Sequence, residues 1–218
     1  MIRDLTDAMQ DYLKEIHKLR LEGARATTSA IAERVGVRPP SVTAMLKRLT
    51  AAGLAEHTPY RGVELTPSGE RVALEVIRHH RLLEQYLTQA LGLSLDEVHS
   101  EADRLEHALS EELEARIDKS LGFPTHDPHG DPIPDARLRI KSARLRTLAS
   151  LEPGDEATIR RVPDGDEALL RYLAKLTLVP GKKVKLHRAE PFGGPLTVRV
   201  GKAEHAISRE LAAGIGVA

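Results

Sequence analysis

Between Gly122 and Pro134 the chain carries four prolines and two glycines in thirteen residues, a density that neither a helix interior nor a central strand tolerates. The sequence is thereby divided. Before this segment, apolar side chains recur at three- and four-residue spacing; after it, short runs such as Val184-Lys185-Leu186 and Leu196–Val200 alternate with Pro180-Gly181 and Gly193-Gly194-Pro195. A chain of 218 residues is expected to form two or three compact units. The reading is a multidomain fold, mainly α with β, divided at 1–75, 76–145 and 146–218. A Pro-rich linker runs from about 122, and the last portion forms a small β-barrel with one helix near 166–176.

There is no cysteine, which removes disulfides, thiolate zinc sites and thiol redox switches, so any metal must be held by nitrogen and oxygen. The N-terminus lacks a basic stretch followed by an apolar one, and no run of about 18 apolar residues occurs, so a cytoplasmic protein without a membrane segment is expected. Formal net charge is zero, without the overall basic footprint common in nucleic-acid binders. The charge is unevenly spread. From Gln85 to Asp118 nine acidic residues face only Arg104 and Arg116, an excess that calls for solvent or a cation.

Met9, Tyr12, Leu13, Ile16 and Leu19 give residues 6–22 a helical period, with Thr6 as N-cap and Gly23 as stop. A short helix over Ala30–Val35 is broken by Gly36, and Pro39 or Pro40 opens another with Val42, Leu46 and Leu49 inward, a helix-turn-helix pattern. Leu54–His57 and Val63–Leu65 flank a turn and read as a two-stranded wing. Thr66-Pro67 then starts a long helix to roughly Leu91, and a further helix is expected from Leu95 to about Leu121.

In such a unit the second helix enters the DNA major groove. Its expected contacts are Pro40, Ser41, Thr43, Lys47 and Arg48, with Tyr60 and Arg61 at the wing tip. The bland alternative is a compact three-helix unit with a solvated face.

Asp103, Glu106 and His107 stand at i, i+3 and i+4, a spacing that lets one helix aim two carboxylates and an imidazole at one point. His99 lies one turn earlier, and an antiparallel neighbour would bring His80 and Glu84 alongside. Any one of these pairs is common on a solvated helix; six on two helices form a concentration. His79 is expected to be solvated, and His126 and His129 are given no role.

The segments Asp11-Tyr12-Leu13, Ile31-Ala32-Glu33-Arg34, Pro40-Ser41-Val42-Thr43, Leu65–Gly69, His80–Glu84 and His99–His107, with Gly130-Asp131-Pro132-Ile133-Pro134, are similar to those of the diphtheria-toxin-repressor family of iron and manganese regulators. The resemblance spans essentially the whole chain. It implies a winged helix-turn-helix domain, a helical dimerisation and metal-binding domain and an SH3-like C-terminal domain. A primary metal site at Asp11, Asp103, Glu106 and His107 and an ancillary one at His80, Glu84 and His99 are implied, as are a homodimer, a roughly palindromic double-stranded operator and repression of metal-uptake genes. Iron-responsive members carry methionine and cysteine where this chain has Asp11 and Asp103, and hard carboxylates favour Mn²⁺ over Fe²⁺. Lys14 stands where some manganese sensors of the family have a carboxylate, and Thr158–Arg161 offers no acidic match to the C-terminal ligands of three-domain members.

No catalysis is expected, since the sequence has neither a phosphate-cradling glycine loop nor a nucleophile elbow. The alternative is a winged-helix regulator controlled by an organic effector or a partner, its acidic and histidine cluster structural.

Overall fold

The computed structural model describes residues 5–58, 62–141 and 144–218. Two compact units emerge: one comprises residues 1–80, 106–109 and 134–139, the other residues 81–105, 110–133 and 140–218.

The first unit begins with α1 (Asp7–Leu21), whose N-cap Thr6 accepts from the Met9 amide. The next helix, α2 (Thr28–Val35), is capped by Thr27 and closed by Gly36 in the left-handed conformation, and α3 (Pro39–Ala51) starts on its two prolines. Strands β1 (Ala55–Thr58) and β2 (Gly62–Leu65) pair antiparallel with Ala55 opposite Leu65. Tyr60 and Arg61, expected at the wing tip, lie outside the described residues. Leu13, Ile16, Ile31, Val42, Leu49, Val72 and Val76 form one buried cluster, the inward faces of three helices and the start of α4 (Pro67–Leu91). Thr66 fixes that start: its hydroxyl donates to the Gly53 carbonyl at 2.8 Å and accepts from the Gly69 amide at 3.1 Å.

After α4 the chain forms α5 (Leu95–Leu105) and α6 (Glu111–Ser120), not the single helix expected over 95–121. The break falls at residues 106–110, where Ser110 caps α6 by accepting from the Leu113 amide. Glu106–Leu109 contain no helix breaker, and they belong to the first unit.

The rest of the second unit is an antiparallel sheet. It consists of β3 (Arg146–Thr147), β4 (Glu156–Arg161), β5 (Lys183–Ala189), β6 (Leu196–Val200), β7 (Ala203–Ile207) and β8 (Gly216–Val217), in the order β3-β8-β4-β5-β6-β7. Two helices accompany it, α7 (Glu167–Lys175) and α8 (Arg209–Gly214). Leu148, Ile159, Leu170, Leu173, Leu178, Val184, Leu186 and Val198 make its core. The expected barrel is not closed: β3 and β7 are the two edges, and β3 and β8 are only two residues long. No helix among the described residues is long and apolar enough to cross a membrane.

Candidate metal centre

Among the described residues, two groups of three nitrogen and oxygen donors each fall within a single unit. In the first unit, Asp11 on α1 meets Glu106 and His107 on the turn that follows α5, their donor atoms all within 4.8 Å of one another. His107 Nε2 is 3.0 Å from Asp11 Oδ1 and 3.6 Å from Glu106 Oε1, while its Nδ1 hydrogen-bonds Gln10 Oε1 at 3.0 Å. The hydrogen bond to Asp11 raises the His107 pKa against the opposing effect of burial, with Glu106 and Asp7 adding to it. Glu106 is fully buried: Lys14 Nζ donates to its Oε1 at 2.7 Å, and His80 Nδ1 lies 2.6 Å from its Oε2. His79, expected in solvent, is buried, its Nδ1 bonded to the Glu106 carbonyl at 3.1 Å.

In the second unit, Glu84 on α4 joins Asp127 and His129 from the proline-rich segment, all three buried. His99 Nδ1 is 2.9 Å from Glu84 Oε1, and His129 Nδ1 is 3.6 Å from Glu84 Oε2. Asp127 Oδ1 accepts the amides of His129, Gly130 and Asp131, each at 2.9 Å, which folds the loop around its own carboxylate. Gly130 (φ 95°) seats that loop, because a Cβ there would lie 1.8 Å from the Arg160 carbonyl oxygen. His129 Nε2 bonds the Leu95 carbonyl at 3.0 Å and therefore carries the proton in the neutral tautomer, leaving Nδ1 as the lone-pair nitrogen. Arg81 Nε approaches Asp127 Oδ2 at 3.5 Å without hydrogen bonding to it.

This second group fits a cation closely. Among the described residues Asp127 Oδ2 and His129 Nδ1 are buried with no hydrogen-bond partner, an arrangement a protein core seldom leaves uncompensated. Burial, then Glu84 and Asp131, push the Asp127 carboxyl up to about 8. Burial works against protonation of His129, but Glu84 and Asp127 outweigh it and raise its pKa. A divalent ion would accept the lone pair of His129 Nδ1 and add positive charge beside the Glu84 and Asp127 carboxylates.

Of the residues picked from the sequence, Asp11, Glu106 and His107 are thus assembled, as are Glu84 and His99. His80 turns its Nδ1 to Glu106, and Asp103, on α5, is half-exposed with an oxygen 3.7 Å from His99 Nε2. Asp127 and His129 were missed. Their signal is local, an Asp-x-His pair inside a proline-rich segment, and nothing in periodicity connects it to Glu84 more than forty residues earlier.

On α3, Pro40, Ser41, Thr43, Lys47 and Arg48 are all exposed, opposite buried Val42 and Leu49. Among the described residues neither Lys47 nor Arg48 is ion-paired, although Arg48 touches Met9 Sδ at 3.9 Å.

Three family models cover the chain: the N-terminal DNA-binding domain of iron-dependent repressors over residues 4–63, their metal-binding and dimerisation domain over 66–135, and the FeoA domain over 146–218. The iron-dependent repressor IdeR of Mycobacterium tuberculosis is 33% identical over 228 residues, covering 99% of both chains. The chain belongs to the diphtheria-toxin-repressor family. The diphtheria toxin repressor of Corynebacterium efficiens is 40% identical over 133 residues, 61% of this chain and 58% of that one. A solved manganese-dependent transcriptional repressor in complex with manganese superposes with a TM-score of 0.88 at 38% identity, covering 96% of this chain and 98% of that chain. This member of the family is a metal-dependent DNA-binding repressor with a dimerisation domain, not an enzyme.

Proposed function

We propose that this repressor responds to Mn²⁺ in preference to Fe²⁺, binds as a homodimer to a roughly palindromic operator in the cytoplasm, and controls metal-uptake genes. The observation that carries the metal preference is the donor set: Asp11, Glu106 and His107 in one group and Glu84, Asp127 and His129 in the other offer only oxygen and imidazole nitrogen. A manganese-bound structural relative supports the same reading.

A bound divalent cation supplies positive charge between two carboxylates and an imidazole. Asp11 then ties α1, the helix that precedes the helix-turn-helix, to the turn carrying Glu106 and His107. With α1 held, the packing of Leu13 and Ile16 against Ile31, Val42 and Leu49 fixes how α3 is presented. Ser41, Thr43, Lys47 and Arg48 meet the major groove, and twofold symmetry repeats the contact on the second half-site. Glu84 from α4 and Asp127 and His129 from the proline-rich loop, with His99 beside Glu84, would hold a second ion.

Fluorescence anisotropy on DNA from upstream of the repressor's own coding sequence tests this at fixed salt. After chelation, separate anaerobic titrations with Mn²⁺ and Fe²⁺ should restore binding, with Mn²⁺ effective at the lower concentration. Asp11→Ala should weaken Mn²⁺-dependent operator affinity at least about tenfold with the fold and dimer intact. Operator binding equally tight after chelation would make both groups structural and move the search for an effector to the FeoA domain.

A further inference from the structure

Lys14 is an unusual neighbour for a metal-binding carboxylate. Its ammonium and the Glu106 carboxylate are both withdrawn from solvent, with side-chain exposures of 6% and 0%. Their 2.7 Å separation is that of a charge-assisted hydrogen bond. The ammonium also sits on a particular oxygen: Oε1, 3.6 Å from His107 Nε2, which in turn lies 3.0 Å from Asp11 Oδ1. The other oxygen, Oε2, is held by His80 at 2.6 Å. Both Glu106 oxygens are therefore engaged by the protein's own nitrogen groups.

The Glu106 oxygen that Lys14 holds is the one 3.6 Å from His107 Nε2, so a cation held by Asp11, Glu106 and His107 would compete with the ammonium there and would meet a positive charge one helical turn from Asp11. We propose that Lys14 is an internal competitor for Glu106: it neutralises the buried carboxylate in the metal-free repressor and sets the metal concentration at which the repressor responds. This rests on the reading that Asp11, Glu106 and His107 bind the metal. The two formal negative charges of Asp11 and Glu106 match a dication when Lys14 has withdrawn, and are in deficit when it has not. The ammonium also gives α1 a link to the 106–109 turn before any metal arrives, so the competition exchanges one cation for another on a contact that already exists.

The full-length dimer tests this directly. Free Mn²⁺ is followed by electron paramagnetic resonance during titration, and the affected site is assigned as the one lost in His107→Ala. Lys14→Met keeps the length of the side chain without its charge, and Lys14→Gln keeps a donor for Glu106. Both should bind Mn²⁺ at that site at least about tenfold more tightly than wild type, since one ammonium a few ångströms from a dication has an effect of this size even when strongly screened. Lys14→Arg, which keeps the charge, should stay near wild type. The melting temperature gives a second readout: metal-free Lys14→Met should melt below wild type, and the rise on adding Mn²⁺ should be larger than in wild type.

If the uncharged variants bind with unchanged or weaker affinity while His107→Ala still loses a site, Lys14 is no competitor and the metal reading stands. If Lys14→Arg gains as much as Lys14→Gln, charge is not the cause and the proposal fails. If His107→Ala titrates like wild type, the metal reading of this group fails and the proposal with it.

Discussion

One oxygen of Asp127 organises three backbone amides while the other is buried without a hydrogen bond among the described residues. With its carboxyl raised to about 8, the folded metal-free protein keeps this proton from about pH 4 to about 8, where the unfolded chain has released it. The folded state binds more protons over that window, so Asp127 makes stability fall as pH rises through it, and the raised pKa of His129 acts in the same direction. The melting temperature of chelated protein should therefore decline from pH 5 to pH 8 more steeply than that of Asp127→Asn, which retains Oδ1 for the three amides. Mn²⁺ must displace these protons, so its affinity for the Glu84 group should rise with pH over the same window, measured by titration calorimetry in buffers of different ionisation enthalpy. An Asp127→Asn profile parallel to wild type would remove Asp127 as the group responsible. Glu106, His107 and Glu84 were legible in the sequence as candidates because helical spacing and family resemblance both point to them, and Asp11 through the resemblance alone. The partnership of Asp127 and His129 with Glu84 was not, because a loop's path is fixed by contacts distant in sequence.

At the level of elements, the helix-turn-helix, the strands of the wing and the long α4 followed from Thr caps, Gly36, the paired prolines and apolar periodicity, all local signals. The break between α5 and α6 did not. Glu106, Ala108 and Leu109 are good helix formers, and what turns the chain there is tertiary: Glu106 bonds to Lys14 and His80, His107 to Gln10 and Asp11. The proline-rich segment was legible as irregular but not as tightly seated. Gly130→Ala should destabilise the protein by about 2 kcal/mol or more, because a positive φ and a backbone collision coincide, and should loosen Mn²⁺ binding at the Glu84 group. Denaturation midpoints with and without Mn²⁺ check this, and a wild-type midpoint would mean that the loop yields without penalty. The open sheet replaces the expected barrel for a reason invisible in strand patterns: alternation marks a strand but not the length needed to close a sheet.

For the whole molecule, zero net charge hid an uneven distribution: Lys47 and Arg48 on α3, without an ion pair among the described residues, and an acidic middle region. Leu105 and Leu113 are large apolar side chains left 42% and 49% exposed on α5 and α6, where the family model includes dimerisation. Leu113→Glu is expected to shift the protein to monomer in sedimentation velocity and to abolish operator binding even with Mn²⁺ saturating; an intact dimer would place the interface elsewhere. The Asp11 group also has a temporal consequence. Ribosomes deliver a chain from its N-terminus, and residues 7–65 contain every described element of the helix-turn-helix and wing. Glu106 and His107 emerge some forty residues later, and residues 134–139 complete the same unit later still. If metal acts through Asp11, Glu106 and His107 as proposed, the elements of the DNA reader are thus synthesised before the turn that would govern them, and during that interval metal could not instruct them.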